Sequence, residues 1–181
     1  MTEDLARRVQ WLEDRFALQD LLVQYAVLLD DRRFDEVSEL FTSDGVFSSP
    51  NSRTEGREAI ARNFEVKHDG TLATWHDPHA STAFRVDDDH ARGTVIGYAE
   101  LAWPDRTVIT SIRYLDDYRR EDGRWRFASR HVLSVYGMTA QDWLDGGMGR
   151  DERKRWPGRP VAPAELPDVD QRFPGYLQGP R

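Results

Sequence analysis

Residues 114–130 read YLDDYRREDGRWRFASR, and the reading of this stretch decides the fold. Glu121-Asp122-Gly123 is a hairpin turn, because Asp-Gly supplies the positive-φ backbone that a tight antiparallel reversal needs. Working outward, Val108 to Arg119 is the strand entering the turn and Arg124 to Tyr136 the strand leaving it. Further upstream, Pro104-Asp105 and Asp87-Asp88-Asp89 mark two more turns. They bound a strand over Ala91–Trp103 and another over His76–Val86, broken near Pro78. Residues 71–136 therefore predict an antiparallel meander.

The chain before it is helical. Residues 3–31 predict a first helix, with Thr2 as cap and Glu3 and Asp4 complementing the dipole. Leu5, Val9, Leu12 and Phe16 recur at helical spacing, and Leu18, Leu21, Leu22, Tyr25, Leu28 and Leu29 continue an apolar face. A short second helix turns Phe34, Val37, Leu40 and Phe41 inward. Ser43-Asp44-Gly45 then leads into a strand at Val46-Phe47, and Gly56–Phe64 is a third helix with Ala59, Ile60 and Phe64 inward. Helices followed by a meander make an α+β domain over residues 1–137. Residues 138–181 form an extension: a short helix around Gln141–Leu144, then an irregular arm whose prolines exclude a helix or a central strand. Trp156, Phe173 and Tyr176 predict an arm docked on a neighbouring subunit rather than a free tail.

Composition narrows the function. The 181 residues are 39% hydrophobic, enough for one core. The net charge of -7 opposes phosphate backbones, so nucleic acid is not an expected partner. The absence of cysteine excludes disulfides, thiolate metal sites and thiol nucleophiles. No apolar run approaches the ~20 residues of a membrane span, and MTEDLARRVQ lacks the apolar core of a signal peptide, so a cytoplasmic protein is expected. There is no G-x-S-x-G elbow, Walker loop or dinucleotide fingerprint.

Three residue types stand out. Asp30 lies in the last helical turn, where the dipole opposes a negative charge by roughly 0.3–1 kcal/mol, with Val23, Ala26 and Val27 behind it. It is either the first residue of a polar DDRR turn or a carboxylate that orients a histidine. His76 opens a strand beside Trp75. The H-x-x-H formed with His79 puts the two rings on opposite faces of an extended strand, and no third ligand is visible, so no metal is expected. A strand histidine is commonly structural, yet an imidazole against an apolar wall is also a ready general acid/base. Tyr25, on the apolar helix face, is either a core tyrosine or a donor to a substrate oxygen. Arg130 and His131 face opposite ways on the last strand, and alternation does not say which enters a cavity. His68 and His90 sit in charged segments and are expected at the surface.

In this order, Tyr25-x4-Asp30, LFTSDGVF, GREAI, a strand-opening His76 and YLDDYRREDGRWRFASR resemble the SnoaL-like (nuclear transport factor two-like) superfamily over roughly residues 5–137. The resemblance implies a cone-shaped barrel, a curved antiparallel sheet wrapped around the N-terminal helices. The polar residues are most similar to those of the scytalone dehydratase and bile-acid dehydratase families. That similarity implies that Tyr25, Asp30 and His76 are the catalytic positions and that no cofactor is used. VIGYAEL also resembles a pocket strand of scytalone dehydratase. Two departures stand against this: Ala99 occupies the place of a second catalytic residue, and Ser134 that of a pocket arginine. Trp75, Phe84, Tyr98, Trp103, Tyr114, His131 and Ser134 are the candidates for binding a small apolar substrate.

Loss of water next to a carbonyl needs a base, an acid and a donor to the enolate oxygen. His76 oriented by Asp30, with Tyr25, would supply them for a polyketide, steroid or aromatic metabolite. Isomerisation and cyclisation use the same parts. The alternatives on this fold are a non-catalytic ligand-binding or assembly protein, or a structural chain like a dioxygenase small subunit. A homo-oligomer, trimer or dimer, is expected because one sheet face needs cover beyond the helices.

Overall fold

The computed structural model describes residues 2–166, without the side chains of Thr2 and Glu3. The expected Thr2 cap and the aromatics Phe173 and Tyr176 lie outside the described residues. The elements run α1 (Thr2–Asp30), α2 (Phe34–Glu39), β1 (Phe41–Ser49), β2 (Ser52–Glu55), α3 (Arg57–His68), β3 (Ala73–Arg85), β4 (His90–Trp103), β5 (Arg106–Glu121), β6 (Arg124–Thr139) and α4 (Ala140–Leu144).

The meander is antiparallel from β3 to β6. At the hairpin, Asp122 and Gly123 take φ of 53° and 72°, two successive positive values that match the right-handed twist of the flanking strands. The break near Pro78 is a register shift between Pro78 and Ala80, where proline leaves the ladder without a donor.

The sheet departs from an antiparallel barrel in one pairing. Its order is β2-β1-β6-β5-β4-β3, and β1 runs parallel to β6, with Phe47 opposite Arg130. The curved sheet is therefore mixed and open. The cause is the crossing made by α3. The chain leaves β2, re-enters at the far edge as β3 and returns strand by strand, so β6 arrives beside β1 in the same direction.

One face of the sheet holds the core. Leu18, Leu21, Leu22, Tyr25 and Leu29 of α1 meet Val95, Ile112, Tyr114, Tyr118 and Phe127. Here the expectation for the first helix needs correction. Leu5, Val9, Leu12 and Phe16 do not continue this face; they are exposed, as are Val23 and Val27. α1 carries two apolar stripes, and the inner one runs through Trp11, Asp14, Leu18, Leu21, Leu22, Tyr25 and Leu29. The helix also starts before the body does, since residues 4–10 are all exposed. α3 runs one turn further than Phe64 and ends at His68, which is buried rather than at the surface.

The C-terminal segment, through Leu166, packs on the edge and outer face of its own sheet. β1 covers the edge of β6 only as far as His131. Beyond that, Gly137 exchanges hydrogen bonds with Arg153 and Arg155, and the Leu166 N–H donates to the Ser134 carbonyl at 3.1 Å. Trp156 lies flat on Gly137, where a Cβ would come within 2.6 Å of the indole. Leu166 completes a small cluster with Leu115 and Leu133 on the face opposite the helices.

Candidate active site

α1 ends at Asp30, and β3 begins just beyond the turn that follows α3. This brings two residues far apart in sequence together. Asp30 Oδ1 accepts from His76 Nδ1 at 2.6 Å and from Thr74 Oγ1 at 2.8 Å, and Oδ2 accepts from the His76 backbone N–H at 2.8 Å. Three donors fix the carboxylate. An ionised carboxylate only accepts, so Nδ1 is the protonated nitrogen and Nε2 carries the free lone pair in the neutral ring. The side chains keep only 13% and 17% of their exposure.

His76 borders a narrow cavity with Tyr25, Tyr114, Arg130, Val95, Gly97 and Ile112. Arg130 is the residue that alternation left open. It takes the inner face, where its guanidinium carbon stands 4.3, 4.2 and 4.1 Å from the rings of Tyr25, Tyr114 and Phe127. Asp116 holds it by two bonds of 2.9 and 2.8 Å and also accepts from the Tyr118 hydroxyl at 2.8 Å. Burial pushes the Tyr25 hydroxyl well above its ordinary pKa, and Tyr114 up to about 12, although Arg130 acts in the opposite sense. Both phenols are therefore donors throughout the neutral range. The cavity is narrow, about 260 Å³ counting the space that opens to solvent. Tyr25, Tyr114 and Arg130 fill most of the interior.

The other expected wall residues are not gathered here. Trp75 is on the opposite face of β3 from His76 and is 63% exposed. Phe84 is at the far end of β3, opposite Arg92, and Ala83 takes the core-facing place beside it. Trp103, the last residue of β4, sits over the turn at Gly70. Tyr98 touches the rim, but it alternates with the inward Val95 and Ala99, and its hydroxyl donates to Glu100 at 3.2 Å. His131 lies on the outer face, where Nδ1 meets Ser48 Oγ at 2.8 Å, because Arg130 holds the inner position. Ser134 pairs with the cavity-lining Ile112 but does not itself line the cavity, and its N–H donates to Glu165. Ala99 is buried directly opposite His76.

Sequence reading missed His68. Its ring is 6.2 Å from that of His76, and its Nδ1 bonds the Phe64 carbonyl at 2.7 Å. Burial depresses its pKa. The signal available was helix continuation past Phe64 through Val66-Lys67-His68. Among the described residues, His79 pairs with Asp77 at 3.7 Å on the exposed side, apart from His76. No described helix is long and apolar enough to cross a membrane.

Comparison with known proteins agrees with this architecture. A curated protein of Mycobacterium tuberculosis is 26% identical over 123 residues, covering 66% of this chain and 84% of its own. Among solved structures, a protein of Novosphingobium aromaticivorans named for scytalone dehydratase superposes with a TM-score of 0.68. It is 22% identical and covers 76% of this chain and 91% of its own. The LinA-type3 hexachlorocyclohexane dehydrochlorinase of Novosphingobium barchaimii gives 0.67 at 18% identity, covering 73% and 93%. ActVI-ORFA of Streptomyces coelicolor gives 0.59 at 22% identity, covering 66% and 96%. At these identities the structures speak for the fold. The SnoaL-like domain model matches residues 10–131, most of the chain. The chain belongs to the SnoaL-like domain family.

Proposed function

We propose that this protein is a cofactor-independent acid/base enzyme, a dehydratase-like lyase or an isomerase or cyclase, acting on a small apolar carbonyl compound. The observation that carries the reading is the Asp30–His76 pair opening onto a cavity floored by Tyr25, Tyr114 and Arg130. His76 Nε2 takes the proton α to the carbonyl, and Asp30 stabilises the imidazolium that results. The enolate oxygen meets a neutral phenol, since burial keeps Tyr25 protonated, with the Arg130 cation behind it. In a dehydration, His76 then returns the proton to the departing hydroxyl. General acid–base transfer of this kind contributes about 10²–10⁴-fold.

α-Proton exchange isolates the first step from the identity of the leaving group. In D₂O, an apolar β-hydroxy aryl ketone should lose its α-proton signal faster with the protein than without it. His76→Ala should slow this by at least about 10²-fold, and Asp30→Asn should also slow it strongly. Undiminished exchange in both variants would remove the proposal.

The tightness of the cavity favours a second reading, a ligand-binding protein without turnover. It predicts saturable binding of the same ketone with no exchange, and affinity indifferent to Asp30→Asn.

A further inference from the structure

The outer stripe of α1 has a pattern that the inner core does not explain. Leu5, Val9, Leu12, Phe16, Gln19 and Val23 follow one another at intervals of four, three, four, three and four, the repeat of a coiled-coil seam. The five apolar members are exposed by 58, 46, 54, 66 and 56%. In this frame Asp14 and Leu21 lie diametrically opposite the seam, and both are buried against the body. From Leu5 to Phe16 the seam is the side of α1 turned away from its own domain, while Gln19 and the flanking Arg15 border the crevice against Ser81, Thr82 and Ala83 of β3.

We propose that two copies of this chain pair along α1, parallel and in register, as a two-stranded coil from Leu5 to Val23. Three features of the residues choose a second copy and this orientation. The charged residues flanking the seam are Arg8, Glu13, Arg15 and Asp20, all exposed, with Ala6 and the core residue Leu22 in the two outermost flanking places. In a parallel pair, Arg8 of one copy faces Glu13 of the other and Arg15 faces Asp20, on both sides of the axis. An antiparallel pair would instead set arginine against arginine and acid against acid. Next, β-branched Val9 and Val23 alternate with Leu5 and Leu12 in the order that favours two parallel strands. Finally, Gln19 is the one polar seam residue. On a two-fold axis its amide meets its own copy and can donate and accept reciprocally, which disfavours shifted registers.

The interface is independent of the catalytic reading and distinct from the sheet face. Sedimentation equilibrium of the full chain at high micromolar concentration should give an even multiple of the 21.0 kDa of one chain. Val9→Glu with Phe16→Glu should halve that mass, leaving any sheet-face assembly in place, with circular dichroism and melting of the domain unchanged, because neither side chain contributes to the core. Orientation is read separately. The chain has no cysteine, so Leu5→Cys offers a single thiol. It should oxidise to a covalent dimer only if the two N-termini lie side by side. A monomeric wild type, a mass that the paired glutamates do not halve, or an assembly in which Leu5→Cys fails to cross-link would each overturn the proposal.

Discussion

Arg130 and Asp116 are the most buried ion pair of the described residues, 1% and 0% exposed, and their surroundings are aromatic. A charge left alone in such a place costs far more than the pair contributes. Arg130→Met should destabilise the protein by about 3–5 kcal/mol, because Asp116 keeps its charge and loses its fork of donors. Arg130→Met with Asp116→Leu should recover a large part of that loss. Urea unfolding of the two variants checks the order, and a single variant no worse than the double would contradict it. This also explains what was legible at the scale of a residue. Asp30, His76 and Tyr25 announced themselves as polar groups on otherwise apolar faces. Arg130 did not, because a strand that alternates polar and apolar residues on both faces leaves its facing undecided until a partner is known. The partner, Asp116, lies on the preceding strand across the hairpin, and only the register identifies it.

At the scale of an element, boundaries followed from turn chemistry, while facing followed from length. The hairpin at Asp122-Gly123 and the ends of β4, β5 and β6 fall within a few residues of the expected places, because local signals fix them. α1 misled for a different reason. A 29-residue helix is about 43 Å long, and its first turns, residues 4–10, are exposed beyond the body, so a single periodic pattern cannot say which turns have something beneath them. The C-terminal segment gives an element-level prediction. Gly137 is required by the close approach of Trp156, not by its backbone angles, and a side chain there must push the indole away. Gly137→Val should release residues 150–166 from the β6 edge with a loss of about 1–3 kcal/mol. Trypsin should then cut at Arg150, Arg153, Lys154 and Arg155 much faster than in the parent, while the sheet core stays resistant. If cleavage is unchanged, the segment is held by something other than this contact.

For the molecule as a whole, the fold class was legible because the order of helices and strands leaves few ways to cover one sheet face. The parallel pairing of β1 with β6 was not, since it depends on the long-range path of α3 and on no local residue. Whole-molecule chemistry shows instead in the response to acid. His68 is 4% exposed, and burial, its largest perturbation, lowers its pKa below the 6.5 of a free imidazole, even though the Phe64 carbonyl works the other way. Arg32 and His76 add to the lowering and Asp30 opposes it. Below pH 6.5 the unfolded chain therefore takes up a proton that the folded chain refuses, and stability falls as pH drops through that value. Asp14 behaves differently. Burial alone would raise its carboxyl, but bonds from neighbours that include Arg120 at 2.8 Å and Gln10 at 3.2 Å hold it below its ordinary value. Its contribution is present above about pH 4 and is lost only as pH falls through the lowered value. The melting temperature should accordingly be level near pH 7.5, begin to decline near 6.5, and decline again in the carboxylate range. His68→Asn preserves a donor toward the Phe64 carbonyl and removes the titration. It should flatten the first decline and leave the second, with His76 common to both chains. Thermal melts of the two proteins across this range test it, and an unchanged slope between pH 6.5 and 5 in His68→Asn would show that another group governs the acid response.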